Sequence, residues 1–251
     1  MKTLKKFLTA LLFAPLVALA SEAVHLDQAP KEKFTDTLAL QRGAKVFVNY
    51  CLNCHSASYM RYNRLKDIGL TDEQIKENLM FAAEKVGELM RVSVSSADAR
   101  NWFGAAPPDL TVIARARSSE HGSGADWLYT YLRTFYRDST RPTGWNNLVF
   151  PNVGMPHVLW ELQGDQVLHV EKAAGGHGEG AEHKSLQLAK PGKLSAQDYD
   201  AMVGDLVAFL VYMGEPIAEK RKSLGIVVVI VLIGIGVLSY LLKRAYWKDI
   251  H

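Results

Sequence analysis

The 251-residue chain is poor in cysteine: it has two, Cys51 and Cys54. A disulfide across so short a loop would constrain little of the unfolded chain. A structural zinc site needs four ligands, and no second cysteine pair exists to complete one. Both thiols are therefore free for one local task. Strong charge is also lacking. The formal net charge is +3, and no stretch combines dense Lys and Arg with interleaved aromatics. Nucleic acid is thus not an expected partner. The chain has no internal repeat. Its 48% of hydrophobic residues argues against general disorder. The length suits one globular domain with accessory segments.

Apolar runs stand at both ends. Lys2, Lys5 and Lys6 precede the run Phe7 to Ala20, and Ala18-Leu19-Ala20 offers small residues for cleavage, with Ser21-Glu22-Ala23 as a second choice. Residues 1–20 are expected to be a secretory signal peptide. A retained first membrane helix is the alternative, disfavoured by the shortness of the run and by Pro15. At the other end, Leu224 to Leu242 carries no formal charge. Its 19 residues span about 28 Å as a helix, close to the hydrocarbon thickness of a bilayer. Lys220, Arg221 and Lys222 precede it, and Lys243, Arg244 and Lys248 follow, with Tyr240, Tyr246 and Trp247 near one interface. Gly225, Gly234 and Gly236 would be wasteful in the core helix of a soluble protein, the competing reading. The expected layout is a domain over 21–216, a transmembrane anchor over 224–242 and a tail over 243–251. Positive charge on both flanks orients the anchor poorly. The exported amino end places the domain outside the cytoplasmic membrane, in the periplasm of a bacterium.

Between the ends, residues 21–40 read as an irregular leader. A helix is expected over 41–50, with Ala44, Phe47 and Val48 on one face. A second is expected over 71–90, opened by a capping box of Thr71 with Gln74. Residues 101–111, with Pro107-Pro108, should be extended and irregular. Ala125 to Phe135 reads as a third helix. Residues 138–158 read as a long structured loop, since Pro142, Gly144, Pro151, Gly154 and Pro156 punctuate it. The Gly-, His-, Glu- and Lys-rich stretch 171–193 reads as an irregular excursion. Ser195 to Met213 is a fourth helix, ended by Gly214-Glu215-Pro216. The fold class expected is mainly α with long loops and little strand.

The two cysteines belong to Cys51-Leu52-Asn53-Cys54-His55, a C-x-x-C-H sequence. That spacing is the attachment signature of a c-type haem. Two thiols bond the porphyrin edge, and the histidine that follows at once is carried to the iron by the same turn. A thioredoxin-like redox pair and half a zinc site are the competing readings. The former would want a strand before the motif, where a helix is expected. A sixth ligand must be a soft or imidazole donor. Met155 leads, because it lies between Gly154 and Pro156 in a rigid loop rather than in a periodic segment. Met90, His121 and His157 remain alternatives. His177 and His183 lie close together, but in a Gly-rich stretch that reads as solvated.

These motifs, in this order, resemble the cytochrome c1 family in its proteobacterial form. The resemblance runs from the amino-terminal segment to the anchor. It rests on Cys51 to His55, on Ala106-Pro107-Pro108-Asp109-Leu110-Thr111, on Arg115-Ala116-Arg117, and on Phe150 to Trp160 around Met155-Pro156. The chain departs from the family where a tyrosine-bearing segment usually precedes the methionine loop, and reads Thr143 to Val149 instead. The resemblance implies a class I-like c-type cytochrome domain holding one covalent haem c. His55 and Met155 would be its axial iron ligands, with Pro108 near the histidine side. Arg117 would face a haem propionate, with Arg115 as its alternative, because a sheltered carboxylate needs a charge partner. Trp127 falls near a family tyrosine that faces a propionate. Tyr50, Arg61, Asn101 and Trp102 are weaker candidates for the pocket.

By resemblance the chain would be the electron-transfer subunit of the ubiquinol–cytochrome c oxidoreductase, the bc1 complex of respiratory chains. It would take single electrons from the Rieske iron–sulfur protein and pass them to cytochrome c, while cytochrome b holds the quinone sites. Its own chemistry would be electron carriage, with no catalytic residue. Its partners would be those three proteins and membrane lipid. Glu73, Glu77, Glu84, Glu88, Glu179 and Glu182 are candidate docking acids, or simply a solvated surface. A free anchored shuttle is the rival reading. It should lack the Pro-Pro-Asp-Leu segment and the roughly 100-residue spread from His55 to Met155. A haem sensor would leave the iron five-coordinate and Met155 without a role.

Overall fold

The computed structural model describes residues 25–172 and 182–248. The expected signal peptide lies outside them, as do His177, Glu179 and the side chains of Glu182 and His183.

The core is built on two crossing helices. Helix α1 (Thr37–Val46) starts where the Asp36 carboxylate accepts the Leu38 N–H, and it buries Ala39, Leu40, Gly43 and Ala44 on one face. It begins earlier than the sequence suggests, and within the expected leader a 3-10 turn forms at Lys31–Phe34. A one-turn π-helix, Phe47–Cys51, follows and sets Phe47 and Val48 in the core. A single turn closed by i→i+5 bonds is a common device at functional sites. Strand β1 (Ala57–Arg61) comes next, then a 3-10 helix at Tyr62–Ile68.

Helix α2 (Asp72–Asn78) has both halves of the expected Thr71–Gln74 capping box, but it stops far short of residue 90. Tertiary pairing overrides helix propensity there. The Tyr62 and Asn63 N–H groups bond the Glu88 and Val86 carbonyls, and the Glu88 carboxylate accepts the Glu84 and Lys85 N–H groups. Leu89–Met90 becomes strand β2, antiparallel to β1. Helix α3 (Ser96–Phe103) also intrudes on a stretch expected to be irregular, and Gly104 ends it at a φ of 77° that only glycine adopts freely.

Helix α4 is a single turn (Ile113–Ala116), and α5 (Gly124–Arg133) fills the region expected for the third helix. Strands β3 (Phe135–Arg137) and β4 (Trp145–Asn147) form a short antiparallel pair inside the expected loop. After the turn of α6 (Trp160–Gln163), β5 (Gly164–Lys172) pairs with β6 (Glu182–Pro191). Residues 182–191 of the stretch expected as an excursion are therefore the second strand of a hairpin. The alternation Gln166, Leu168, Val170 opposite Leu188, Leu186, Lys184 is its local signal. Three two-stranded sheets add more strand than the sequence suggests, yet the domain remains mainly helical.

Helix α7 (Ala196–Gly214), capped by Ser195, is the central element, with Val203, Leu206, Val207, Ala208 and Phe209 fully buried. It lies against α1 so closely that a Cβ on Gly43 would meet the Asp205 carbonyl oxygen at 2.1 Å. Phe47 packs on Phe209 with ring centroids 5.6 Å apart. Burial of a phenylalanine of this kind contributes about 2–3 kcal/mol. The Asp205 carboxylate sits in this contact and receives Lys33 at 2.7 Å and Arg42 at 2.6 Å. After Glu215-Pro216-Ile217, α8 (Ala218–Tyr246) contains the whole Leu224–Leu242 run. It is long and apolar enough to cross a membrane, and none of its side chains is buried against the domain.

Candidate functional site

The turn after the π-helix carries the C-x-x-C-H motif. The Leu52 N–H reaches back to the Phe47 carbonyl at 3.0 Å, and the Cys54 and His55 N–H groups both bond the Cys51 carbonyl, at 3.1 and 2.9 Å. Leu52 is thereby turned into the core, while Cys51 is half-buried and Cys54 exposed. Both thiols are free. Burial, with a smaller contribution from Cys54, pushes the Cys51 thiol up to about 12. The motif follows a helix and a π-helical turn rather than a strand, which counts against the thioredoxin-like reading. Among the described residues no group of three or more Cys, His, Asp or Glu side chains is placed to hold a metal.

His55 is half-buried, and its Nδ1–H donates to the Pro108 carbonyl oxygen at 2.7 Å. A carbonyl can only accept, so this bond fixes the proton on Nδ1 and leaves Nε2 with its lone pair. Burial lowers the imidazole's proton affinity, outweighing the Pro108 carbonyl and Asp109, which act the other way. The Pro-Pro-Asp-Leu segment is fastened along residues 56–59. The Leu110 N–H bonds the Ser56 carbonyl at 2.9 Å, and the Ser58 N–H bonds the Asp109 carboxylate at 2.7 Å. Thr111 donates to the same carboxylate from its N–H and its hydroxyl, and its hydroxyl oxygen accepts the Tyr59 N–H.

The four candidates for a second soft or imidazole donor lie in different surroundings. Met90 is fully buried in β2, and His121 stands exposed in a surface turn. His157 is buried between Phe135, stacked at 4.8 Å, and the edge of Trp145, and burial lowers its pKa to about 4. Met155 is half-buried at the border of the core, which Cys51, Leu110 and Trp127 also border. Its sulfur accepts the Tyr131 hydroxyl at 3.4 Å.

Two buried asparagines shape the methionine loop, in the stretch where the chain departs from the family pattern. The Asn147 carbonyl oxygen accepts the Val149 and Phe150 N–H groups, and its amide donates to the Tyr131 carbonyl at 2.8 Å. The Asn146 side chain accepts the Asn152 N–H and donates to Asp138. Asn152 itself takes a φ of 62°, a left-handed conformation that asparagine tolerates, and Arg141 holds both its side-chain and backbone oxygens. Sequence reasoning missed Tyr131, Asn146 and Asn147. The pair of asparagines between Trp145 and Leu148 was the only local signal.

Arg117 is half-buried, with its guanidinium 4.5 Å over the Trp127 ring and 5.5 Å from that of Phe150. Among the described residues it has no carboxylate partner. Arg115 is exposed, Arg61 donates to the Gly87 carbonyl, and Tyr50, Asn101 and Trp102 lie at the surface.

These residues fit a covalent haem c: two free thiols three positions apart, an imidazole with its Nε2 left open, and a thioether and a guanidinium without a carboxylate partner among the described residues. What folds around residues 51–55 is a turn of the haem-attachment type, on a domain followed by one helix long and apolar enough to cross a membrane. The Cytochrome C1 family model matches residues 28–169 and 193–250, and the chain belongs to that family. The chain is 49% identical to the ammonia monooxygenase gamma subunit of Nitrosomonas europaea, over the full length of both. It is 47% identical to the cytochrome c1 of Allochromatium vinosum over 97% of each chain. With the cytochrome c1 of Rhodospirillum rubrum the identity is 29%, over 86% of this chain and 83% of the relative.

Proposed function

We propose that the chain holds one haem c and relays single electrons from a Rieske iron–sulfur protein to cytochrome c, as the cytochrome c1 subunit of a bc1 complex that also contains cytochrome b. The observation that carries the reading is the 2.7 Å bond from His55 Nδ1–H to the Pro108 carbonyl, which prepares Nε2 as a ligand. Haem iron with both axial positions filled supplies one-electron transfer and offers no open position to a substrate.

The chain's own residues do the rest. Cys51 and Cys54 would bond the porphyrin, and His55 and Met155 would hold the iron. Pro108 orients the imidazole through its carbonyl. Arg117, unpaired among the described residues, supplies positive charge for a propionate. The core side chains around Leu52 and Tyr131 keep water from the iron. The domain over 21–216 faces the periplasm of the bacterial inner membrane, residues 1–20 act as the signal peptide, and α8 anchors the domain beside its partners.

A spectrum of the purified full-length holoprotein tests the ligand set. The ferric form should show a methionine-to-iron charge-transfer band that Met155→Ala abolishes. High-spin iron in the native protein would sink the electron-relay reading. Copurification tests the complex. Recovery with a Rieske protein and cytochrome b supports the bc1 assignment. The 49% identity to a subunit named for ammonia monooxygenase favours a second reading, in which the same relay serves that enzyme. Recovery with an ammonia monooxygenase and without cytochrome b would select it.

A further inference from the structure

Tyr131 is held at both ends against the methionine loop. Its carbonyl accepts the Asn147 amide at 2.8 Å, and its hydroxyl donates to the Met155 sulfur at 3.4 Å. The ring between them cannot swing. Trp127 stacks on one face at 4.8 Å and 13°, and Phe135 packs edge-on at 5.0 Å. The side chain is 8% exposed, so water does not compete well for the hydroxyl. A phenol in a core needs a partner for its O–H, and the thioether is the partner recorded here.

A thioether sulfur has two lone pairs. We propose that Tyr131 is a positioning residue for the electron-transfer site: its hydroxyl occupies one lone pair of Met155, presents the other to the iron, and draws density from the sulfur. The proposal rests on the reading of Met155 as the sixth ligand. A sulfur that donates less stabilises ferric iron less than ferrous iron, so the hydrogen bond raises the reduction potential.

The test uses the full-length holoprotein and two variants. Tyr131→Phe removes one oxygen and keeps the ring stack. It should shift the ferric–ferrous equilibrium toward ferric by about fivefold, the order of one ordinary hydrogen bond. That is a fall of about 40 mV, at about 59 mV per tenfold for one electron. The charge-transfer band should persist and move in energy. Phe135→Leu loosens the packing around Tyr131 and keeps the hydroxyl, so it should lower the melting temperature and leave the potential near that of the native protein.

A native protein without the band would sink both the ligand reading and this proposal, before any variant is made. With the band present, an unchanged potential in Tyr131→Phe overturns this proposal alone. So does an equal fall in both variants, which would assign the effect to packing. Loss of the haem from Tyr131→Phe would overturn it too, because the hydroxyl is assigned to one bond and the fold to the ring.

Discussion

His55 donates its Nδ1 proton to the carbonyl of Pro108, 53 residues further along the chain. The bond depends on the segment 108–111 staying where Asp109 pins it. Asp109→Ala strips the acceptor from the Ser58 and Thr111 N–H groups. Loss of such acceptors should cost about 1–3 kcal/mol of stability. Chemical denaturation of the holoprotein should show it, together with a growing high-spin fraction in the ferric spectrum as temperature rises.

The methionine loop has a comparable pin in Asn147. Asn147→Ala leaves the Val149 and Phe150 N–H groups and the Tyr131 carbonyl without that partner. We expect a loss of about 1–3 kcal/mol, since one of these bonds is buried and two are part-buried. Exogenous imidazole should bind the ferric iron more tightly in the variant, because the loop that carries Met155 opens more readily. Spectral titration with imidazole measures this, and an affinity equal to that of the native protein would contradict it.

Gly43→Ala tests the closest approach of α1 to α7. The new methyl would meet the Asp205 carbonyl at 2.1 Å. Overpacking of this kind costs about 1–3 kcal/mol, and backbone cannot step aside as a side chain can. The melting temperature and the yield of haem-loaded protein should both fall, since α1 leads straight into the attachment turn.

Asp126 sets an acid limit. Its carboxylate accepts Ser123 and the Ala29 N–H, fastening the amino-terminal segment to α5. Burial alone would raise its pKa, but these bonds outweigh it and hold the group below the usual range. The unfolded chain therefore takes up the proton first as pH falls. The contribution is fully present above the ordinary carboxylate value of about 3.9, and is lost as pH drops below it and through the lower folded value. Asp126→Asn should be less stable at neutral pH. The difference should narrow in strong acid, as paired denaturation curves at several pH values can show.

A chain stopped after Pro216 should leave the membrane fraction and keep its haem. No α8 side chain is buried against the domain, so the truncation removes none of the core. Fractionation of cells expressing both forms, stained for covalent haem, checks this.

Features decided within a few residues were legible in the sequence. The C-x-x-C-H turn, the Thr71 box, the Ser195 cap and the apolar run of the anchor each act through neighbours. Features decided by a distant partner were not. Residues 79–90 have helical character, yet Tyr62 and Asn63 draw them into an extended path. The roles of Tyr131 and Asn147 exist only because the loop around Met155 folds back on α5. Strand β6 was hidden by its charge-rich composition. It also falls in the 170–192 gap between the two matched stretches of the family model.

Between Gly214 and Ala218 only Glu215, Pro216 and Ile217 intervene, and Arg221 grips Glu215 across them at 2.5 Å. Four backbone steps reach at most about 14 Å even when fully stretched. The leash is too short for the domain to sweep a volume above the bilayer. Its altitude is set by the chain, and its travel is reduced to sliding in a plane. On the proposed reading, a redox partner would meet the haem at nearly one height above the bilayer.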